Sequence, residues 1–125
     1  MLRKLLPLLL LLPLSALGAE VNVTWVHPTQ YSDNSALPLE AIRDTTVQYG
    51  TCTTATTPTF GTLTRETIVP GPARTVLFSA VAPATYCFRA RTTDAQARVS
   101  NWSAVVKKAV VDIKPKAPTT LTVTL

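Results

Sequence analysis

Val81-Ala-Pro-Ala-Thr-Tyr-Cys-Phe-Arg-Ala-Arg91 is the stretch on which the fold turns. Pro83 and Thr85 mark a tight corner, and a strand follows it. Side chains alternate along a strand. Tyr86, Phe88 and Ala90 therefore share one face, and Cys87, Arg89 and Arg91 share the other. One face is oily and the other polar, the pattern of a half-buried strand in a two-sheet protein, with a cysteine turned outward.

Working outward, the chain shows the same period repeatedly. Val21, Val23 and Trp25 lie on one side of a first strand, which His27-Pro28 ends because proline has no N–H for a ladder. Residues 29–38, rich in Ser, Asp, Asn and Pro, read as a loop with Leu39 and Ile42 tucked beneath it. Thr45, Val47 and Tyr49 face one way on the next strand, and continuing the parity turns Cys52 to the opposite face. The threonine-rich tract 51–59 reads as a connection along a sheet edge. Residues 60–69 form a further strand, Pro70-Gly71-Pro72 a turn, and residues 74–79 a strand with Val76 and Phe78 together. A polar loop over 92–101 precedes a last strand over 102–111. No segment holds a helical period over ten residues, so short strands between Pro/Gly turns imply an all-β sandwich or barrel.

The first 19 residues read as a secretory signal peptide: Arg3 and Lys4, a leucine run over 5–14 broken only by Pro7 and Pro13, then Ser15-Ala-Leu-Gly-Ala19. The run is about half of the ~20 residues a membrane-spanning helix needs. An uncleaved anchor is the alternative reading, and a cut after Gly18 is an alternative to one after Ala19. The rest is one domain over 20–111, followed by a linker and strand-like tail over 112–125. Without Arg3 and Lys4 the net charge falls from +5 to +3, and the late lysines 107, 108, 114 and 116 read as a solvated face, with contact to an acidic surface as the alternative reading. Nothing has the basic, aromatic-studded look of a nucleic-acid surface. In an exported chain two cysteines imply a disulfide, and their separation excludes a CxxC redox or zinc site.

The order of these features resembles a fibronectin type III domain. The tryptophan of Val23-Thr-Trp25 sits where that family has its second-strand core tryptophan. Residues 42–50 look like its third strand with a closing Tyr-Gly pair, and Val81-Ala-Pro-Ala-Thr-Tyr86 looks like its Leu-x-Pro-Gly-Thr-x-Tyr corner, one residue shorter. Ser100-Asn-Trp-Ser103 resembles the start of the family's final strand. The resemblance covers roughly residues 20–111, is similar to single-domain exported bacterial and prophage-encoded versions, and implies an immunoglobulin-like β-sandwich of about seven strands. Ala84 replaces the corner glycine, Thr45 replaces a usual aromatic, and no Arg-Gly-Asp occurs in 92–101. No first strand precedes Val21 once the leader is removed, whereas Pro118-Thr-Thr-Leu-Thr-Val-Thr-Leu125 looks like that strand, with Leu121, Val123 and Leu125 on one face. It reads either as the stub of a further domain or as a filler of the vacant place, in its own domain or a neighbour's.

In the arrangement the family implies, the strands of Val47 and Phe88 are antiparallel neighbours, and the ends bearing Cys52 and Cys87 meet. A Cys52–Cys87 disulfide is the expectation. No catalytic set assembles around His27, the single histidine, and Asp33, Glu40 and Asp44 lack the spacing of a calcium loop. No metal or cofactor site is read. Asn22-Val-Thr24 and Asn101-Trp-Ser103 match the glycosylation pattern but lie on or beside strands. The functional expectation is a secreted or periplasmic, non-catalytic binding or scaffold module. It would contact protein or glycan at the cell envelope or host surface through loops 28–38 and 92–101, or through a sheet edge. The alternative is an inhibitor or accessory subunit of an exported hydrolase. Tyr31, Asp33, Asn34, Asp94, Arg98 and Trp102 are the candidate contact residues. The expected partners include no nucleic acid and no stable membrane span after leader cleavage, and a strand-swapped dimer is among the expected assemblies.

Overall fold

A computed structural model describes residues 18–53, 56–111 and 114–125. The leader expected at the start falls almost wholly on residues 1–17, outside the described residues. Six strands are described: β1 (Ala19–Thr24), β2 (Ile42–Cys52), β3 (Phe60–Pro70), β4 (Thr75–Val81), β5 (Ala84–Asp94) and β6 (Val106–Val110). They form two antiparallel sheets, β1-β4 and β3-β2-β5-β6, so the chain is an all-β sandwich. About seven strands were expected, and six are found among the described residues, because nothing described pairs with the outer edge of β1. β1 begins at Ala19, which pairs with Val81.

The core follows the parity of the strands. Thr45, Val47 and Tyr49 of β2 face inward and are buried, as are Tyr86 and Phe88 of β5, Phe78 and Val81 of β4, and Val110 of β6. Tyr49 is the hub: its ring meets Phe78 at 4.9 Å and Tyr86 at 5.0 Å, both edge to face, and lies 5.4 Å from Phe88. Val21, Val23 and Trp25 pack on this cluster from the smaller sheet but are only half-buried. Gly50 follows Tyr49 where the backbone of Thr62 comes so close that a Cβ would collide with it, at a shift in the β2–β3 register. Gly71 carries the β3–β4 turn with φ of 63°, a conformation glycine adopts without steric cost.

β4 reaches β5 through only Ala82 and Pro83, so the chain changes sheet in two residues. The Tyr86 hydroxyl donates to the Ala82 carbonyl at 2.7 Å and pins that crossing. Cys52 and Cys87 are bonded, with Cα atoms 4.9 Å apart, as expected. Cys87 faces away from the core yet is fully buried, its outward side taken by the bond to Cys52.

Three local expectations need correction. Leu39 is exposed and Leu37 is buried in its place, because a 3₁₀ turn over Leu39–Ala41 swings Leu39 outward. β5 continues through Asp94, so the loop starts at residue 95; the pairs Ile42–Asp94 and Thr45–Thr92 extend the ladder past the polar residues. The last strand starts at Val106 instead of Trp102. The reason is Ser103, whose N–H donates to the Ala90 carbonyl while its hydroxyl accepts from the Ala90 N–H, replacing a regular ladder pair. Segment 114–125 joins neither sheet, and Leu121 and Val123 are 86% and 81% exposed.

Candidate functional site

Antiparallel pairing decides what meets at each end of the sandwich. β1 ends, β2 begins, β3 ends and β5 ends at the same end, because Ile42 pairs with Asp94 and Asp44 with Pro70. Loops 25–41, 71–74 and 95–105 are therefore neighbours. His27 is buried where they touch, with Nε2 3.1 Å from the carbonyls of both Pro72 and Ala73, so its role is to tie two loops together.

Loop 25–41 folds on itself as a small hairpin. Gln30 bridges to Ala36, the Tyr31 N–H donates to the Ser35 carbonyl and the Asn34 N–H to the Tyr31 carbonyl. Asn34 takes a left-handed φ of 70°, which asparagine tolerates better than most residues. Asp33 Oδ1 accepts from the Ser35 hydroxyl and N–H, and these bonds hold its carboxyl below the usual range. The opposite loop is a second hairpin, closed by bonds between Asp94 and Arg98 and a bridge from Thr93 to Val99, with Ala97 left-handed at φ 67°.

Between the two hairpins lies a depression of about 790 Å³, lined among others by Tyr31, Asp33, Leu37, Asp94, Arg98 and Asn101. Asp94 is its buried floor. Its Oδ1 accepts from the N–H groups of Gln96 (3.0 Å) and Arg98 (2.8 Å), and its Oδ2 from the Tyr31 hydroxyl (3.0 Å) and Arg98 Nε (2.8 Å). Burial pushes this carboxyl up, but the bonds from Arg98, Tyr31 and Gln96 outweigh that and hold it at about 2. It is a saturated acceptor, ionised at neutral pH, which suits it to positioning and not to proton transfer. The Arg98 guanidinium is drawn over the Tyr31 ring at 4.7 Å, and its side chain stays 61% exposed. The result is an aromatic–guanidinium platform, rimmed by the polar residues Ser32, Ser35, Ser100 and Asn101.

Of the residues singled out in the sequence, Tyr31, Asp33, Asp94 and Arg98 come together here, with Asn34 at the neighbouring hairpin tip. Trp102 does not. It lies on the outer face of the larger sheet, its ring 4.1 Å from the Arg89 guanidinium and 4.3 Å from that of Arg91. Arg89 also lies 3.9 Å from the Phe60 ring and donates to Gln48 Oε1, and Gln48 Nε2 donates to Glu66. This stack over the four-stranded sheet went unread in the sequence, although the parity that turns Arg89 and Arg91 outward was its signal. Among the described residues Asp33, Glu40 and Asp44 form no cluster that could hold a metal ion, and Asp44 pairs with Arg43 at 3.1 Å.

The two sheets also leave a groove along one flank. All six residues of β1 line it, facing Phe88, Val106, Lys108, Ala109, Val110 and Val111, with a volume of about 530 Å³. On the opposite flank Arg65 reaches from β3 to donate to the Ser79 carbonyl of β4 at 2.9 Å, its guanidinium within 5.6 Å of the Tyr49 and Phe78 rings. One side of the sandwich is latched and the other stands open. Among the described residues no helix is long and apolar enough to cross a membrane. No protein-family model, curated protein or solved structure matches this chain.

Proposed function

We propose that this chain is a fibronectin type III-like module, secreted or periplasmic, that binds protein or cell-surface glycan without catalysing a reaction. The observation that carries the reading is the convergence of two hairpins on one depression, where Tyr31 and Arg98 both bond an Asp94 that has no acceptor capacity left. A pre-formed aromatic and guanidinium surface rimmed by polar residues suits the faces and hydroxyls of a sugar or the side chains of an extended peptide, because little entropy is lost on ordering it. The fibronectin-type assignment is supported by the strand order, the Tyr86–Ala82 bond at the sheet crossing and the packing of the half-buried Trp25 against the core cluster. Export is supported by a disulfide, which persists in oxidising compartments.

The test is a glycan array together with pull-down from envelope fractions, using the full chain and its Arg98→Ala and Tyr31→Ala variants. Binding that is lost in both variants, while their melting temperatures show them folded, is the expected result. Equal binding by wild type and both variants would remove the depression from the reading.

A further inference from the structure

The open flank carries an inference independent of what the loops bind. β1 belongs to a two-stranded sheet whose inner face packs on the larger one, and its outer edge, a template for strand addition, is unpaired among the described residues. Its inward residues Val21 and Val23 are only half-buried, and Val106, which faces Phe88 across the β5–β6 ladder, is 61% exposed. Nothing described occupies the groove they line. Residues 119–125 have the complementary pattern: Leu121, Val123 and Leu125 alternate with Thr120, Thr122 and Thr124, and all three apolar side chains are exposed. Threonine suits the outer face of an edge strand. Seven residues at about 3.3 Å each span roughly 23 Å, against roughly 20 Å for the six of β1.

Polarity decides whose segment fits. β6 ends beside the start of β1, since Val110 pairs with Ala84 and Ala19 with Val81, two positions separated only by the Ala82-Pro83 crossing. A strand antiparallel to β1 must start at the other end, level with Thr24. The chain's own segment would first have to travel the length of β1 and then reverse. Residues 111–118, beyond the end of β6, supply eight positions, and a reversal uses at least two. The six left reach at most about 22 Å, which the roughly 20 Å along β1 and the roughly 10 Å step from the larger sheet to the smaller use up entirely; in the chain itself segment 114–125 joins neither sheet. A second copy meets no such limit.

We infer that residues 119–125 of one copy of this chain add antiparallel to β1 of another, seating Leu121, Val123 and Leu125 in the groove between β1 and β6. The contact is heterologous, so copies join head to tail, closing as a ring or extending as a filament. The added strand turns β1-β4 into a three-stranded sheet and covers Val106 and Val23.

The test uses the full chain, its Val123→Lys variant, and a chain ending at Pro118, with a synthetic peptide of residues 118–125. Light scattering on the full chain is expected to give the mass of two or more copies, rising with concentration, and the Val123→Lys chain the mass of one. The shortened chain is expected to melt lower and to regain the lost temperature with the peptide, but not with a Val123→Lys peptide. If the shortened chain does not fold, the Val123→Lys comparison in the full chain decides alone. A full chain that stays monomeric at every concentration overturns the inference. So does hydrogen-exchange protection of residues 119–125 that is independent of concentration, which would place the segment against its own chain.

Discussion

Breaking the Cys52–Cys87 bond is the perturbation whose size follows most directly from the structure. The two residues are 35 apart in sequence and end on adjacent antiparallel strands, where Gly50 pairs with Cys87 and Thr51 with Tyr86. The β2–β5 ladder runs from Ile42 to Thr51 and holds those strands together with or without the bond. The bond therefore acts mainly on the unfolded chain, by closing a loop. The chain-entropy relation gives about 3.8 kcal/mol at 25 °C for a loop of this size. For a domain of about 100 residues this lowers the melting temperature by roughly 15–30 °C. The assay is urea unfolding of the oxidised protein, the reduced protein and the Cys52→Ala/Cys87→Ala double variant. Reduction leaves both sulfurs in place and isolates the loop effect. The double variant adds a small cavity at the fully buried Cys87, worth about 1 kcal/mol more. The urea slope is expected to rise on reduction, because an uncrosslinked chain exposes more surface when it unfolds. A loss below about 1 kcal/mol on reduction, or a full loss with an unchanged slope, would refute the loop-closure reasoning.

Further predictions concern the two ends and the outer face. Tyr86→Phe removes the donor to the Ala82 carbonyl and should lower stability by about 1–2 kcal/mol in urea unfolding. Arg89→Lys keeps the charge but not the plane lying between Phe60 and Trp102. It should lose about 1 kcal/mol and shift tryptophan fluorescence, whereas an unchanged spectrum would show that the stack contributes nothing. Ala97→Gly should stabilise by about 0.5–1 kcal/mol, because the left-handed φ is strained for alanine; its readout is the thermal midpoint. Asp94, held at about 2 in the fold against about 3.9 in an unfolded chain, binds a proton more readily when unfolded. Its contribution to stability is complete above about pH 4 and drains away as the pH falls towards 2. Melting curves between pH 5 and pH 2 should show that slope in wild type and a flatter one in Asp94→Asn.

Much of the fold was legible because a strand has a period of two and needs no long-range information to show it. Val47 and Tyr49 against Cys52, and Phe88 against Cys87, fall on opposite faces by counting alone, which is why the core agrees with the structure; that the two sulfurs meet needed, besides parity, the strand adjacency implied by the family resemblance. The boundaries were less legible. Trp102 carries the sequence look of a strand start, yet Ser103 offers its own hydroxyl to Ala90 and delays the ladder to Val106. Thr92 and Asp94 look like loop residues, yet β2 pairs with both and prolongs β5. Side-chain hydrogen bonds and pairing partners are set by distant residues, and local composition does not contain them.

At the loop end, sequence alone could nominate Tyr31, Asp33, Asp94 and Arg98 as polar or aromatic residues in two separate loops, 63 positions apart in the case of Tyr31 and Asp94. Only the antiparallel order of β1, β2 and β5 brings those loops to one end and turns four candidates into one platform. The same holds for the open flank. Alternation marks residues 119–125 as strand-like wherever they lie, a property each residue carries with it. Whether any edge is free to receive them depends on which strands pair, and the tertiary structure settles it by latching one flank with Arg65 and leaving the outer edge of β1 unpaired among the described residues. Parity is written residue by residue, while adjacency arises only when the whole sandwich closes.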